Sequence, residues 1–200
     1  MDNKKIIILW ATIRPEQFIH TQRVWIDRAS NKSNIEFHIM VNNQEQFDYL
    51  NTKDIGKNKL SISKTDKIGV CYPSYELSSK LEANDNDIII FASDDFIPPI
   101  NYDEYLFSKF KDKTGLLFVR DGYQLPDSSN MLHPCITIPI MDYKSLVKMN
   151  KVIYHPSYCH MFSDCELYLN TKDLGILIDD RLSDETVFEH YHWASGKRKS

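Results

Sequence analysis

A three-layer α/β fold with a mostly parallel central sheet is predicted by three features of this chain. Short apolar runs rich in β-branched residues recur along it, at Ile6-Ile7-Ile8-Leu9-Trp10, Ile88-Ile89-Ile90-Phe91 and Leu116-Leu117-Phe118-Val119. Runs of this kind read as strands covered on both faces, as in a parallel sheet under helices. Segments with apolar residues at helical spacing lie between them, and no repeat, long linker or low-complexity tract interrupts the alternation. With 200 residues, 42% of them hydrophobic, the chain can bury a real core as a single domain.

The first strand, Ile6 to Trp10, gives way at Arg14-Pro15-Glu16-Gln17 to a helix, because proline is tolerated in a first helical turn. Phe18, Thr21, Trp25 and Ala29 then share a face, and Ser30 to Asn34 supplies breaker chemistry. Ile35 to Val41 is a second strand, ending at Asn42-Asn43. From Gln44 to Lys67 the pattern predicts a short helix around Phe47 to Leu50 and a strand at Leu60 to Ser63. A helix over Tyr72 to Ala83 leads into the strand that ends at Asp94-Asp95. Phe96-Ile97-Pro98-Pro99 blocks helix, Tyr102 to Phe110 resumes it, and Leu116 to Val119 is another buried strand. Asp121 to Asn130 reads as a polar loop. Cys135 to Ile140 reads as an extended segment near a sheet edge, because Pro139 cannot donate to a ladder. Helices are expected over Met141 to Met149 and Ser163 to Asp173, with Gly175 just past the second, then a short strand at Ile176 to Ile178. Phe188 to Trp193 alternates His and aromatic residues, a strand pattern that places His190 and His192 on one face.

Composition narrows the function classes. A formal net charge of -4 and a pI near 6.0 leave no global basic field for nucleic acid or an anionic membrane. Only Gly196 to Ser200 is basic, as expected of a solvated terminus. The opening apolar run is too short to span a bilayer and lacks a cleavage-site pattern, and four irregularly spaced cysteines suggest reduced thiols, so a cytoplasmic protein is expected.

Three polar constellations carry candidate chemistry. Asp94 and Asp95 follow a buried run directly, and paired carboxylates are too costly to bury unpartnered, so they belong at the carboxyl end of their strand. In open α/β sheets that edge binds ligands, and two aspartates there suit a hard divalent cation and phosphate oxygens. An Asp-rich turn explains the same residues without function. Asp164 and Glu166 fall in a first helical turn, where acids also complement the helix dipole. His190 and His192 form the third set. One cation, its carboxylates, an imidazole and a nearby base are what transfer from an activated phosphate donor requires. A structural zinc at His155, Cys159, His160 and Cys165 is an alternative, although no paired Cys-x-x-Cys or His-x-x-x-His element accompanies it.

In several ordered blocks the chain resembles the family 2 glycosyltransferases with the GT-A fold, in particular small bacterial and phage-type members. The blocks are Ala11 to Phe18, Asp87 to Asp95, Arg120-Asp121-Gly122-Tyr123, Ile153 to Tyr158, Phe162 to Glu166 and Phe188 to His192. The resemblance implies one GT-A-like domain over residues 1–200, with 1–95 the nucleotide-binding half and 96–200 completing the acceptor and metal sites. It implies a metal-dependent, inverting hexosyl- or pentosyltransferase that moves a sugar from a nucleotide-sugar donor to a carbohydrate or other hydroxyl acceptor. Ser93-Asp94-Asp95 is similar to the DxD-type motif, with Asp95 a ligand of Mn2+ or Mg2+ and Asp94 directed toward the sugar or ribose. Asp164 matches the catalytic base, His190 or His192 the late metal ligand, and Thr12 and Arg14 the loop lining the nucleotide pocket. Asn42 stands where an aspartate often contacts the base or ribose, and Ser93 where many relatives carry aspartate. Tyr154, Tyr158 and Phe162 are candidates for stacking on an acceptor sugar, or for packing.

Two other readings stay open: a catalytically silent nucleotide- or partner-binding α/β domain, and a nucleotidyltransferase, for which no phosphate-cradling Gly-rich loop is present. A nucleic-acid acceptor would be met by the basic tail and Lys57 to Lys67, and the acidic balance gives it no support.

Overall fold

Residues 4–53, 55, 60–67, 69–122, 134–159, 162–183 and 187–191 are described by a computed structural model. The first strand, β1 (Ile6–Thr12), pairs in parallel with β2 (Ile35–Val41) on one side and β4 (Ile88–Ala92) on the other. Outside β2 lies β3 (Leu60–Lys64), also parallel. Beyond β4 come β7 (Ile140–Asp142), β6 (Leu116–Phe118) and β8 (Leu177–Asp179), giving the order β3-β2-β1-β4-β7-β6-β8. Only β7 runs against the others in this sheet. A two-stranded antiparallel sheet joins β5 (Phe96–Ile97) to β9 (Glu189–His190). The order reverses at β1, whose neighbours β2 and β4 lie on opposite sides, so the crevice at the carboxyl ends of β1 and β4 is a topological switch point.

Period-two alternation along the buried strands supplies both faces of the sheet. Ile6, Ile8 and Trp10 of β1, with Ile88, Ile90 and Ala92 of β4, pack on one face with residues of α1 (Pro15–Arg28), α2 (Gln44–Asn51) and α4 (Tyr102–Lys109). Ile7, Leu9, Ile89 and Phe91 pack on the other with α3 (Cys71–Lys80), α5 (Tyr143–Lys148) and α6 (Ser163–Asp173). The result is the three-layer, mostly parallel architecture that the sequence predicts. Trp25 of α1 shows how the layers lock. Its ring is fully buried against Trp10, Tyr102 and Phe188, and its Nε1 donates to the Phe96 carbonyl at 3.0 Å. Buried indole nitrogens need such an acceptor.

Several expectations are corrected. Pro139 does not mark an edge: the strand begins one residue later, and β7 lies inside the sheet between β4 and β6. The proline precedes the strand and still joins the ladder through its carbonyl, which accepts from the Phe91 N–H at 2.9 Å. The helix expected from Met141 therefore starts at Tyr143, with Asp142 capping the Ser145 N–H. Not all cysteines are thiols, since Cys135 and Cys165 form a disulfide while Cys71 and Cys159 are free. That bond removes Cys165 from any zinc site, and His160 lies outside the described residues. Tyr154 is a core residue, buried with its ring edge against Phe91, and is not available to stack on a ligand. Among the described residues no helix is long and apolar enough to cross a membrane.

Candidate active site at the carboxyl edge of the sheet

Three consecutive residues at the end of β4 divide their labour. Asp94, 5% exposed, turns inward: its carboxylate accepts from Trp10 Nε1 at 2.9 Å, Thr12 Oγ1 at 2.9 Å and Arg14 Nε at 3.1 Å. Its carbonyl accepts from Gln17 Nε2 and Thr21 Oγ1, each at 3.0 Å, which ties the strand end to α1. Burial pushes the Asp94 carboxyl above the usual range, against the pull of Trp10, Thr12 and Arg14. Thr12 Oγ1 also accepts the Arg14 N–H at 2.9 Å, so the turn after β1 is built around this aspartate. The Arg14 side chain stays 36% exposed, with its Nε committed to Asp94.

Asp95 belongs to a different cluster. One carboxylate oxygen accepts from Ser93 Oγ at 2.5 Å and the other lies 3.7 Å from His190 Nε2. Burial opposes the charge, but His190 and Ser93 outweigh it and hold the Asp95 carboxyl down at about 2. The backbone brings the pair together: β9 pairs Phe96 with His190, and the Tyr191 N–H donates to the Asp95 carbonyl at 2.8 Å. The imidazole stacks on Phe96, with centroids 4.1 Å apart and planes 18° from parallel. Its Nδ1 lies 3.9 Å from Asp121 Oδ2. Burial would lower the His190 pKa, yet the carboxylates of Asp121 and Asp95 raise it to about 9.

Asp164 stands in the first turn of α6 and is half-buried, its Oδ1 accepting the Cys165 N–H at 3.0 Å. Its carbonyl accepts the Ile136 N–H at 3.1 Å, while the next residue, Thr137, donates its hydroxyl to Asp121 Oδ2 at 2.8 Å. Two adjacent residues thus connect Asp164 to the Asp121–His190–Asp95 cluster, and the disulfide from Cys135 to Cys165 fastens the same segment to α6. Asn42 lies past the end of β2, on the same sheet edge, its amide donating to the Lys67 carbonyl at 2.6 Å. His192 lies outside the described residues.

The structure therefore brings Asp95 and His190 together, places Thr12, Arg14 and Asp94 beside them, and links Asp164 through Ile136 and Thr137. Asp121 was not singled out by its side chain in the sequence. The signal was available, since it follows the apolar run of β6 as Asp94 follows β4. Phe162, next to α6, is 68% exposed and has a left-handed backbone (φ 70°), an uncommon state for a bulky residue. Tyr158 is also exposed.

The donor set fits a hard divalent cation. A carboxylate oxygen and an imidazole nitrogen 3.7 Å apart are too distant for a hydrogen bond. They are still within the roughly 4.2 Å spanned by two ligands each about 2.1 Å from one ion. Among the described residues, three candidate ligand side chains also gather at Cys135, Asp164 and Cys165, but two of those atoms are the disulfide sulfurs.

No protein-family model and no curated protein matches the chain. Solved structures do share its fold. S. aureus TarS 1-349, crystallised with UDP-GlcNAc, is 16% identical with a TM-score of 0.61, over 92% of this chain and 57% of that one. The mannosyltransferase PcManGT from Pyrobaculum calidifontis, in complex with GDP-Man and Mn2+, is 8% identical with a TM-score of 0.61, over 90% of this chain and 58% of that one. A provisionally assigned glucose-1-phosphate thymidylyltransferase of Bacillus anthracis, in complex with a sucrose, is 13% identical with a TM-score of 0.60, over 97% and 94%. The chain spans less than two thirds of the TarS and mannosyltransferase chains. At such identities the likeness is one of fold alone, and that fold is GT-A-like.

Proposed function

We propose that this chain is a metal-dependent, inverting glycosyltransferase that moves a hexosyl or pentosyl group from a nucleotide sugar to an acceptor hydroxyl. The observation that carries the reading is the meeting of Asp95 with His190 beside the switch point, where a nucleotide diphosphate would lie. Proteins of the same fold hold UDP-GlcNAc in one case and GDP-Man with Mn2+ in another.

Asp95 and His190 would hold Mn2+ or Mg2+, a hard oxygen and nitrogen donor pair that leaves further positions to phosphate oxygens. When bound, the cation supplies charge stabilisation to the departing nucleoside diphosphate. Asp94 acts through its neighbours, fixing Thr12 and Arg14 so that the guanidinium faces the donor phosphates or ribose. Asn42, on the same edge, is the candidate for the nucleotide's base or ribose. Asp164 takes the proton of the acceptor hydroxyl as that oxygen bonds to the anomeric carbon, and the bond to diphosphate breaks with its electron pair on the leaving group. Attack opposite the leaving group inverts the anomeric centre. Exposed Tyr158 and Phe162, the latter two residues before Asp164, offer faces for a sugar acceptor.

A nucleotidyltransferase reading has one observation in its favour, the near-complete overlap with the thymidylyltransferase-like chain. One thermal-shift screen separates the two. Nucleotide sugars, and nucleoside triphosphates with sugar 1-phosphates, are each tested with and without Mn2+. One nucleotide sugar at 100-fold over its Kd should raise the melting temperature by about 5–10 °C only with metal. The shift should vanish in Asp95→Ala. Stabilisation by triphosphates alone would favour the second reading, and no shift with any pairing would favour a silent domain.

A further inference from the structure

We infer that Asp121 is a positioning residue for the cation site, holding the Nδ1 side of the His190 imidazole so that Nε2 faces Asp95. This rests on the reading of His190 as a ligand and adds the group that orients it. Asp121 lies just beyond β6 and is 3% exposed. Its carboxylate is anchored by the Thr137 hydroxyl at 2.8 Å, and its carbonyl accepts the His190 N–H at 2.9 Å. Backbone and side chain of Asp121 therefore both address His190. Stacking on Phe96 confines the ring to motion in its own plane, toward one carboxylate or the other.

The two ring nitrogens face different acids, Nε2 toward Asp95 at 3.7 Å and Nδ1 toward Asp121 at 3.9 Å. A histidine whose second nitrogen faces a carboxylate has its ring orientation set, and its ligating nitrogen becomes a better donor. Asp87, Asp103 and Asp142, equally buried, accept backbone N–H groups instead, so burial alone does not account for where Asp121 points.

The test titrates Mn2+ alone into the full chain by calorimetry, comparing wild type with His190→Gln, Asp121→Asn and Thr137→Val. Asp121→Asn should weaken Mn2+ binding by about 10–100-fold. Thr137→Val, which keeps the carboxylate but removes its anchor, should weaken it several-fold. At a Mg2+ concentration that saturates the wild type but not Asp121→Asn, imidazole 15N spectra should show the His190 proton on Nδ1 in the wild type and a large metal-free fraction without that fixed proton position in Asp121→Asn. Wild-type affinity in His190→Gln would sink both the ligand reading and this inference. Loss in His190→Gln with wild-type affinity and an unchanged proton position in Asp121→Asn would overturn the inference alone. Should Asp121→Asn fail to fold, wild-type affinity in Thr137→Val would overturn it.

Discussion

At the amino-terminal edge of the central sheet, Asp87, Asp103 and Asp142 are buried and answered largely by backbone N–H groups. Asp87 accepts from Lys5 and Asn84, Asp103 from Ser30 and Asn31, and Asp142 from Gly115 and Ser145. At the opposite edge, Asp94, Asp95 and Asp121 are met by side chains: Trp10, Thr12, Arg14, Ser93, Thr137 and His190. A carboxylate stapled to backbone holds a loop in place. One met by side chains can exchange a partner for a ligand without disturbing the backbone, and that edge is where an α/β sheet leaves room for one. The same residue type thus meets different donors at the two edges, backbone at one and side chains at the other.

The largest expected effect lies at the carboxyl edge. Asp164→Asn should lower kcat by about 10²–10⁴-fold while leaving donor affinity intact, because an amide cannot accept the acceptor's proton. Steady-state transfer and donor binding measured side by side decide the matter, and normal turnover would remove Asp164 from the base role. At the amino edge the effect should fall on stability instead. Asp103→Ala orphans two backbone N–H groups, at about 1–3 kcal/mol for each that stays buried. Its melting temperature should drop by roughly 2–4 °C for every kcal/mol lost. The surviving folded fraction should transfer sugar at the wild-type rate, and a matching fall in kcat would dissolve the distinction between the edges.

Between these extremes comes Asp94, which borders both categories. Asp94→Asn keeps the size of the side chain but removes the ion pair to Arg14 and one acceptor among three donors. A donor-binding loss near 10-fold, about 1.4 kcal/mol, with little change in kcat would mark it as an organiser of the pocket. A selective collapse of kcat would instead place it among the reacting groups.

The sequence made this edge legible in proportion to how local each signal was. β1 and β4 were plain because strands buried on both faces leave unbroken apolar runs, β2 showed partial alternation through Glu36 and His38, and Asp94-Asp95 stood out where one run stopped. α6 was equally plain, from Ser163 to Asp173, with Gly175 at φ 65° just past its end. β7 was misplaced because Pro139 suggested an edge, whereas a proline just ahead of a strand can lie inside a sheet and still lend its carbonyl to the ladder. Asp121 gained its partner from β9, far along the chain, and no local pattern announces such a pairing. The Cys135–Cys165 bond was missed for the same reason, since a separation of 30 residues matches no spacing rule. Tyr154 and Phe162 look alike in sequence, and only packing puts one in the core and the other in solvent.

The smallest effect concerns pH, in protein treated with a chelator. His190, raised to about 9, lies above its ordinary value near 6.5, so its ion pairing stabilises the fold fully below about pH 6.5 and is lost as pH climbs through 9. Asp95, held at about 2, works in the other direction: its contribution is present above about pH 4 and disappears as pH falls toward 2. The metal-free cluster should therefore stabilise most between these limits. Measured as the melting-temperature difference between wild type and His190→Gln, the contribution should be largest near pH 6 and shrink steadily toward pH 9.5. Asp103→Ala, compared with wild type over the same range, isolates the opposite edge and should show no such decline. A His190→Gln difference that stayed constant to pH 9.5 would mean that the imidazole packs on Phe96 as a neutral ring, and the carboxyl edge would then be held together by stacking instead of charge.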